Sequence, residues 1–184
     1  TSCPSFPIAS AWLRSVKNDS AERSAPAAKI NGLPVMAIAA GLRPIASVIV
    51  VESADFATHG VAAMADALAQ LTTTHSPSAV LIASHAMGKE IAGRLAVATN
   101  SGIITDAQDV AADRTCTQLV FGGSTTVHSA VNTPTAVITV RPNSVEASTA
   151  AATPAVESAA ITIADYAKGA TISSTQPPVK GGRP

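Results

Sequence analysis

Residues 79–106, AVLIASHAMGKEIAGRLAVATNSGIITD, constrain the fold more than any other stretch, because they read as strand, helix and strand in one pass. The apolar run Ala79 to Ala83 predicts a buried strand, and the polar and glycine residues Ser84 to Gly88 break it before a helical period begins. In that period Ile91, Leu95 and Ala98 share a face with Ala92 beside them, while Lys89, Glu90 and Arg94 fall on the other flank. Asn100, Ser101 and Gly102 supply a stop, and β-branched Ile103, Ile104 and Thr105 begin a second strand ending at Asp106. A βαβ unit of this size belongs to a parallel sheet covered on both faces.

The rest of the composition fits that demand. At 184 residues the chain suits one domain, and 47% apolar residues suffice for a core. Aromatics are only 3%, so the core must be built from Ala, Val, Ile and Leu, the usual stock of helix-on-sheet contacts. Twelve basic and twelve acidic residues leave no net charge, which argues against nucleic acid or an anionic membrane as partner, since both need a positive field. The longest apolar runs, such as Ile45 to Val51, fall well short of the roughly 20 residues of a membrane span, so no membrane insertion is expected. Cys3 and Cys116 form no framework or zinc motif, and a reducing, cytoplasmic setting is the default. The first twenty residues lack the basic start and apolar stretch of a secretory signal.

Along the chain, residues 1–28 are rich in Ser and Pro without a sustained period and read as irregular or disordered. Leu33 to Ala40 and Ile45 to Glu52 read as strands, but the four residues between them are too few for a parallel crossover, so they form a hairpin or one is not a strand. Gly60 to Leu71 places Val61, Met64, Ala65, Leu68 and Leu71 at helical spacing. After Asp106, a polar loop to Arg114 leads to Cys116–Phe121, Ser124–Val131 and Ala136–Arg141, read together as an antiparallel extension of the sheet. Ser144 to Ala160 reads as a low-complexity surface excursion, followed by short strands at Ala160–Ala164 and Ala170–Thr175 and a linker from 176 to 184. The expected fold is α/β: a three-layer, Rossmann-like, mostly parallel sheet with an antiparallel extension toward its C-terminal part, the domain running from 29 to 175.

Four blocks in order, GKEIAGRLA, SGIITDAQDV, VFGGSTTV and TPTAVITVRPNSVE, resemble the N-terminal domain of the electron transfer flavoprotein alpha subunit, with the likeness covering roughly Ile45 to Pro184. The resemblance implies an electron-carrier subunit without a catalytic substrate of its own. It pairs with a beta subunit and takes electrons from dehydrogenases, such as the acyl-CoA dehydrogenases of fatty acid beta-oxidation, to a membrane quinone reductase. By the same resemblance FAD is held by a second domain beginning after the Gly-Arg-Pro at the end of this sequence, AMP is held by the partner subunit, and neither site falls in these 184 residues. The family also opens with a strand, a helix, a second strand and another helix before the strand that Ile45 to Glu52 matches, and here no opening strand and no second helix are read.

Gly88-Lys89 at a helix start invites a phosphate reading, but a P-loop fails on both sides: Ala83 replaces its first glycine and Glu90 its magnesium-binding Ser or Thr. Glu90 and Arg94 stand four apart, the spacing of a surface ion pair contributing about 0.3–0.5 kcal/mol. The resemblance offers another role, in which Gly88, Lys89, Glu90 and Arg94 face the partner subunit or the second domain, and the sequence alone does not separate the two. His59, His75, His85 and His128 lack metal-ligand spacing; Ser124 lacks a nucleophile elbow; Asp106 and Asp109 read as turn-capping acids. No catalytic, cofactor or metal residue is assigned. The rival readings are an adenine-nucleotide-binding α/β module using the edge from Ser84 to Lys89, and a degenerate fragment without activity.

Overall fold

The computed structural model describes residues 9–14, 35–40, 47–144 and 155–176. In chain order the elements are β1 Ala9–Arg14, β2 Val35–Ala40, β3 Ser47–Val50, α1 Asp55–His59, α2 Val61–His75, β4 Ala79–Ala83, α3 Ala86–Ala98, β5 Gly102–Ala107, β6 Asp109–Val110, β7 Cys116–Val120, β8 Thr125–Ser129, β9 Ala136–Val140 and β10 Ala155–Ser158. The main sheet has the order β2-β1-β4-β9-β5, all parallel except the β1–β2 pair. β10 pairs in parallel with β3, and β6, β7 and β8 form a separate antiparallel sheet.

The two-residue period of the strands decides what covers each face. On β4 and β9, Val80, Ile82 and Val137 pack with Leu68 and Leu71 of α2 and Ile91, Ala92 and Leu95 of α3. Their alternates, Ala79, Ala136 and Ile138, turn the other way and pack with Ile104, Ala107 and Cys116. One face is therefore covered by helices and the other by the small antiparallel sheet. Leu68, Ile82, Ile91, Leu95 and Ile138 are fully buried, each contributing about 1.5–3 kcal/mol of apolar transfer free energy.

The βαβ reading of residues 79–106 holds in its elements, but β4 and β5 do not touch. β9 lies between them, with Ala79 to Ala83 opposite Ala136 to Val140 and Gly102 to Ile104 opposite Ala136 to Ile138. The expectation that Ala136–Arg141 extends the sheet in antiparallel fashion is therefore corrected, while β7 and β8 are antiparallel as read. The physical reason lies in AVITV, whose first four residues are all buried, the mark of a central parallel strand enclosed on both sides.

Other expectations shift as well. The stretch before Leu33, read without a strand, contains β1, and Leu33–Ala40 and Ile45–Glu52 belong to two different sheets rather than a hairpin. A short helix, α1, precedes α2. The strands expected at Ala160–Ala164 and Ala170–Thr175 do not form. This segment lies across α1 and α2, its backbone bonded to them: Ala164 N donates to Asp66 Oδ2 at 2.9 Å, Gln70 Nε2 donates to Thr162 O at 2.9 Å, and Ile172 N donates to Thr58 O at 2.8 Å. Asp66 is a buried acid in α2 that also accepts from Gln70 Nε2 and the Tyr166 hydroxyl, so its charge is solvated by donors. The remainder of 145–154 and 177–184, and the parts of 1–28 outside β1, lie outside the described residues.

Gly88 fixes how closely α3 approaches β4. A Cβ there would sit 2.0 Å from Ala83 O and 3.2 Å from Ile82 Cγ2, so the helix must move away from the strand to admit any side chain. Gly88→Ala should therefore destabilise the chain by about 3 kcal/mol, the upper part of the usual overpacking range, measured by urea unfolding, whereas Gly93→Ala, with open space around its Cβ, should be neutral or stabilising.

Candidate functional site

The carboxyl ends of β4, β9 and β5 meet the start of α3, and Asp106 ties them together. β5 carries one residue more than β9 between Ile104 and Ala107, a bulge at which Asp106 takes φ +62°. That left-handed turn brings the carboxylate back over the strand ends. Ser84 Oγ donates to its Oδ1 at 2.9 Å, Arg141 Nη2 donates to its Oδ2 at 2.6 Å, and Lys89 Nζ stands 3.7 Å from Oδ1. The Asp106 amide donates to Thr139 Oγ1 at 2.8 Å, and the Thr139 hydroxyl donates to Ser84 Oγ at 3.1 Å. Thr139 is fully buried, and these two bonds satisfy it.

The Arg141 guanidinium, then the Ser84 hydroxyl and more weakly the Lys89 charge, hold the Asp106 carboxyl below its usual value against the opposing effect of burial. Backbone bonds lock the same edge: Ser84 N donates to Val140 O, and Arg141 N donates to Ala107 O, both at 2.7 Å.

The helix begins at Ala86, three residues before Lys89. His85 caps it in an extended conformation, its Nδ1 accepting from Gly88 N at 3.0 Å, which places the neutral ring's proton on Nε2. The four residues named from the sequence divide into two groups. Gly88 is buried against β4 and presents no surface. Lys89, Glu90 and Arg94 are exposed, with Arg94 Nη2 and Nε donating to Glu90 Oε1 at 2.9 and 3.1 Å. Both partners of that pair are about half exposed, which limits its contribution to a few tenths of a kcal/mol. On the opposite flank Ile91, Ala92 and Leu95 are buried as read, but Ala98 is exposed and Ala96 takes its place.

Asp106 itself was assigned only a turn-capping role from sequence. Its position at the end of a β-branched run was the available signal, but the partners lie 17 to 35 residues away and no local pattern connects them.

Chemically, the edge is an ion cluster in which one carboxylate, Asp106, is shared by two cations, Lys89 and Arg141. Ser84 and Lys89, the groups a phosphate would use here, are turned to the chain's own carboxylate, which opposes an anion at that spot. Among the described residues no group of three or more His, Cys, Asp or Glu side chains could hold a metal ion, and no helix is long and apolar enough to cross a membrane.

A helix-backed, mostly parallel sheet with a small antiparallel sheet on its other face defines a domain of the α/β, Rossmann-like class. A family model described as the electron transfer flavoprotein domain matches residues 27–166, and the chain belongs to that family, as an N-terminal domain of the alpha type. It is 41% identical over 130 residues to the electron transfer flavoprotein subunit alpha of two strains of Mycobacterium tuberculosis, a match covering 68% of this chain and 41% of that protein. To the subunit alpha of Mycobacterium leprae it is 37% identical over 164 residues, covering 86% of this chain and 51% of that protein. The chain thus spans about half the length of the relatives it matches.

Asp106→Asn should destabilise the chain by about 1–2 kcal/mol at pH 7, because hydrogen bonds to a charged group are lost while the partial exposure of the cluster limits the effect. A carboxyl held below its ordinary value contributes fully above about pH 4 and loses that contribution as the pH falls through the folded-state value. The gap between wild type and Asp106→Asn should therefore be constant from pH 8 to about pH 5 and close in acid, which denaturant melts across that range will check.

Proposed function

We propose that this chain is the scaffold domain of an electron transfer flavoprotein alpha subunit, contributing to a heterodimeric FAD carrier. The carrier takes electrons from dehydrogenases, acyl-CoA dehydrogenases among them, to a membrane quinone reductase, and works in the cytoplasm as an electron shuttle without a catalytic substrate of its own. The observation that carries the reading is the family match over 27–166, reinforced by relatives whose own name is subunit alpha. In this reading FAD is bound outside these 184 residues and AMP by the beta subunit. The engagement of Ser84 and Lys89 by Asp106 supports that assignment over an adenine-nucleotide module, since the groups a phosphate would use are already turned to a carboxylate of the chain.

The exposed flank of α3, with Lys89, Glu90 and Arg94, is proposed to face the partner subunit or the flavin domain, Gly88 acting only by seating the helix. Arg94→Ala separates an interface from a solvated helix face. As a solvated ion pair it should cost no more than about 1 kcal/mol of stability and leave association with a beta subunit unchanged. As an interface arginine it should cost about 2 kcal/mol or more of binding with little effect on the isolated fold. The second outcome is expected, and unchanged binding with the flavin domain present would refute the interface.

The cofactor assignment has its own test. The purified 184-residue chain should be colourless, and a stoichiometric yellow chromophore retained through gel filtration would overturn it.

A further inference from the structure

The turn between β7 and β8 exposes a phenylalanine at a backbone position that disfavours one. Phe121, Gly122 and Gly123 have φ of +53°, +68° and +93°, three left-handed residues in succession. Glycine takes such values freely, but for a bulky side chain a left-handed φ is strained. The ring gains no burial in return, being 84% exposed. The turn is held instead by its backbone and by Ser124, whose amide and hydroxyl both donate to Phe121 O, at 3.4 and 3.0 Å. β7 starts with Cys116 in the buried cluster beside Ala79 and Ala136, passes Gln118, whose amide donates to Thr105 O at 2.7 Å, and leaves the body of the domain after Val120. Residues 121–126 are exposed throughout. In a chain with only three phenylalanines, one is thus spent at the tip of a projecting hairpin, where burial does not repay its backbone conformation.

We propose that Phe121 is an anchor residue that inserts into an apolar pocket of the beta subunit, so that the strain carried by the free chain is offset only on assembly. The proposal rests on the alpha-subunit reading, which supplies the partner. An aromatic ring on a rigid two-stranded support suits this role, because rings are enriched in interface cores and bury a large area at small entropic cost. The site is separate from the α3 flank: it belongs to the layer on the opposite face of the sheet.

Titration calorimetry of the full chain and its variants with a mycobacterial beta subunit tests this, alongside thermal melts of each chain alone. Phe121→Gly should weaken binding at least about tenfold, the loss of one buried anchor, while its own melting temperature stays level or rises as the strain is relieved. Phe121→Leu, still apolar, should lose only part of the affinity. If wild type binds and Phe121→Gly stays within about threefold of it, the anchor is wrong and the subunit pairing stands. A melting temperature lowered by more than about 4 °C in Phe121→Gly would show that the ring serves this chain's own fold, and would also overturn the anchor. Absence of wild-type binding would overturn the anchor together with the pairing it rests on.

Discussion

A single carboxylate, that of Asp106, decides how the parallel sheet ends. Three strands and a helix arrive at one edge with amide, hydroxyl and cationic groups pointing inward, and each finds its partner on one residue or on the threonine beside it. The bulge in β5 makes this possible by adding a residue in a left-handed turn, which swings the carboxylate over the edge rather than along it. Aspartate suits the position twice, since its short polar side chain tolerates that backbone and its charge answers Arg141 and Lys89. Beyond the bulge the chain reverses into β6 and the antiparallel sheet that covers the second face. Edge, reversal and second layer are thus one construction.

The opposite end of the same strands has a matching device. Arg114 Nη1 donates to Ser78 O, Thr133 O and Pro134 O at 3.3, 3.0 and 3.0 Å, and Thr135 Oγ1 donates to Pro77 O at 2.7 Å. The guanidinium adds its donors to carbonyls at the points where the strands begin, Ser78 O accepting from the Ala136 amide as well. β9 is therefore held at both ends by charged groups on segments distant in sequence. Its position between β4 and β5 does not depend on apolar contact alone.

How much of this is legible in the sequence follows from the range of each interaction. β4, α3 and β5 can be read directly, because an apolar run, a 3.6-residue period and a β-branched restart are local signals, and Ile91 and Leu95 face the core as that period requires. The exchange of Ala98 for Ala96 keeps to the same period, since Gly88, Ile91, Ala92, Leu95 and Ala96 stand at i, i+3, i+4, i+7 and i+8, and the buried stripe runs on the Ala92 side of Ile91 and Leu95. The place of β9 was not legible: AVITV signals a strand, but its neighbours lie more than 30 residues away, and adjacency to β7 and β8 points to the wrong sheet. The charged flank of α3 was visible by spacing, whereas its link to Asp106 was not, since Lys89 and Asp106 meet only after the crossover has closed. The strap over α1 and α2 failed for the same reason, its partner Asp66 lying about a hundred residues earlier.

The insertion of β9 between β4 and β5 sets an order on synthesis. As the chain leaves the ribosome, β4, α3 and β5 emerge first and can collapse through the buried face of the helix, but the two strands have no hydrogen bonds to exchange with each other. Until Ala136 to Val140 has followed, both present bare, apolar edges of the kind that pair with other chains. For some thirty residues of elongation the nascent domain is two half-sheets with a vacant slot, and the late strand joins them. Conditions that stall translation in that interval expose the protein at its most adhesive.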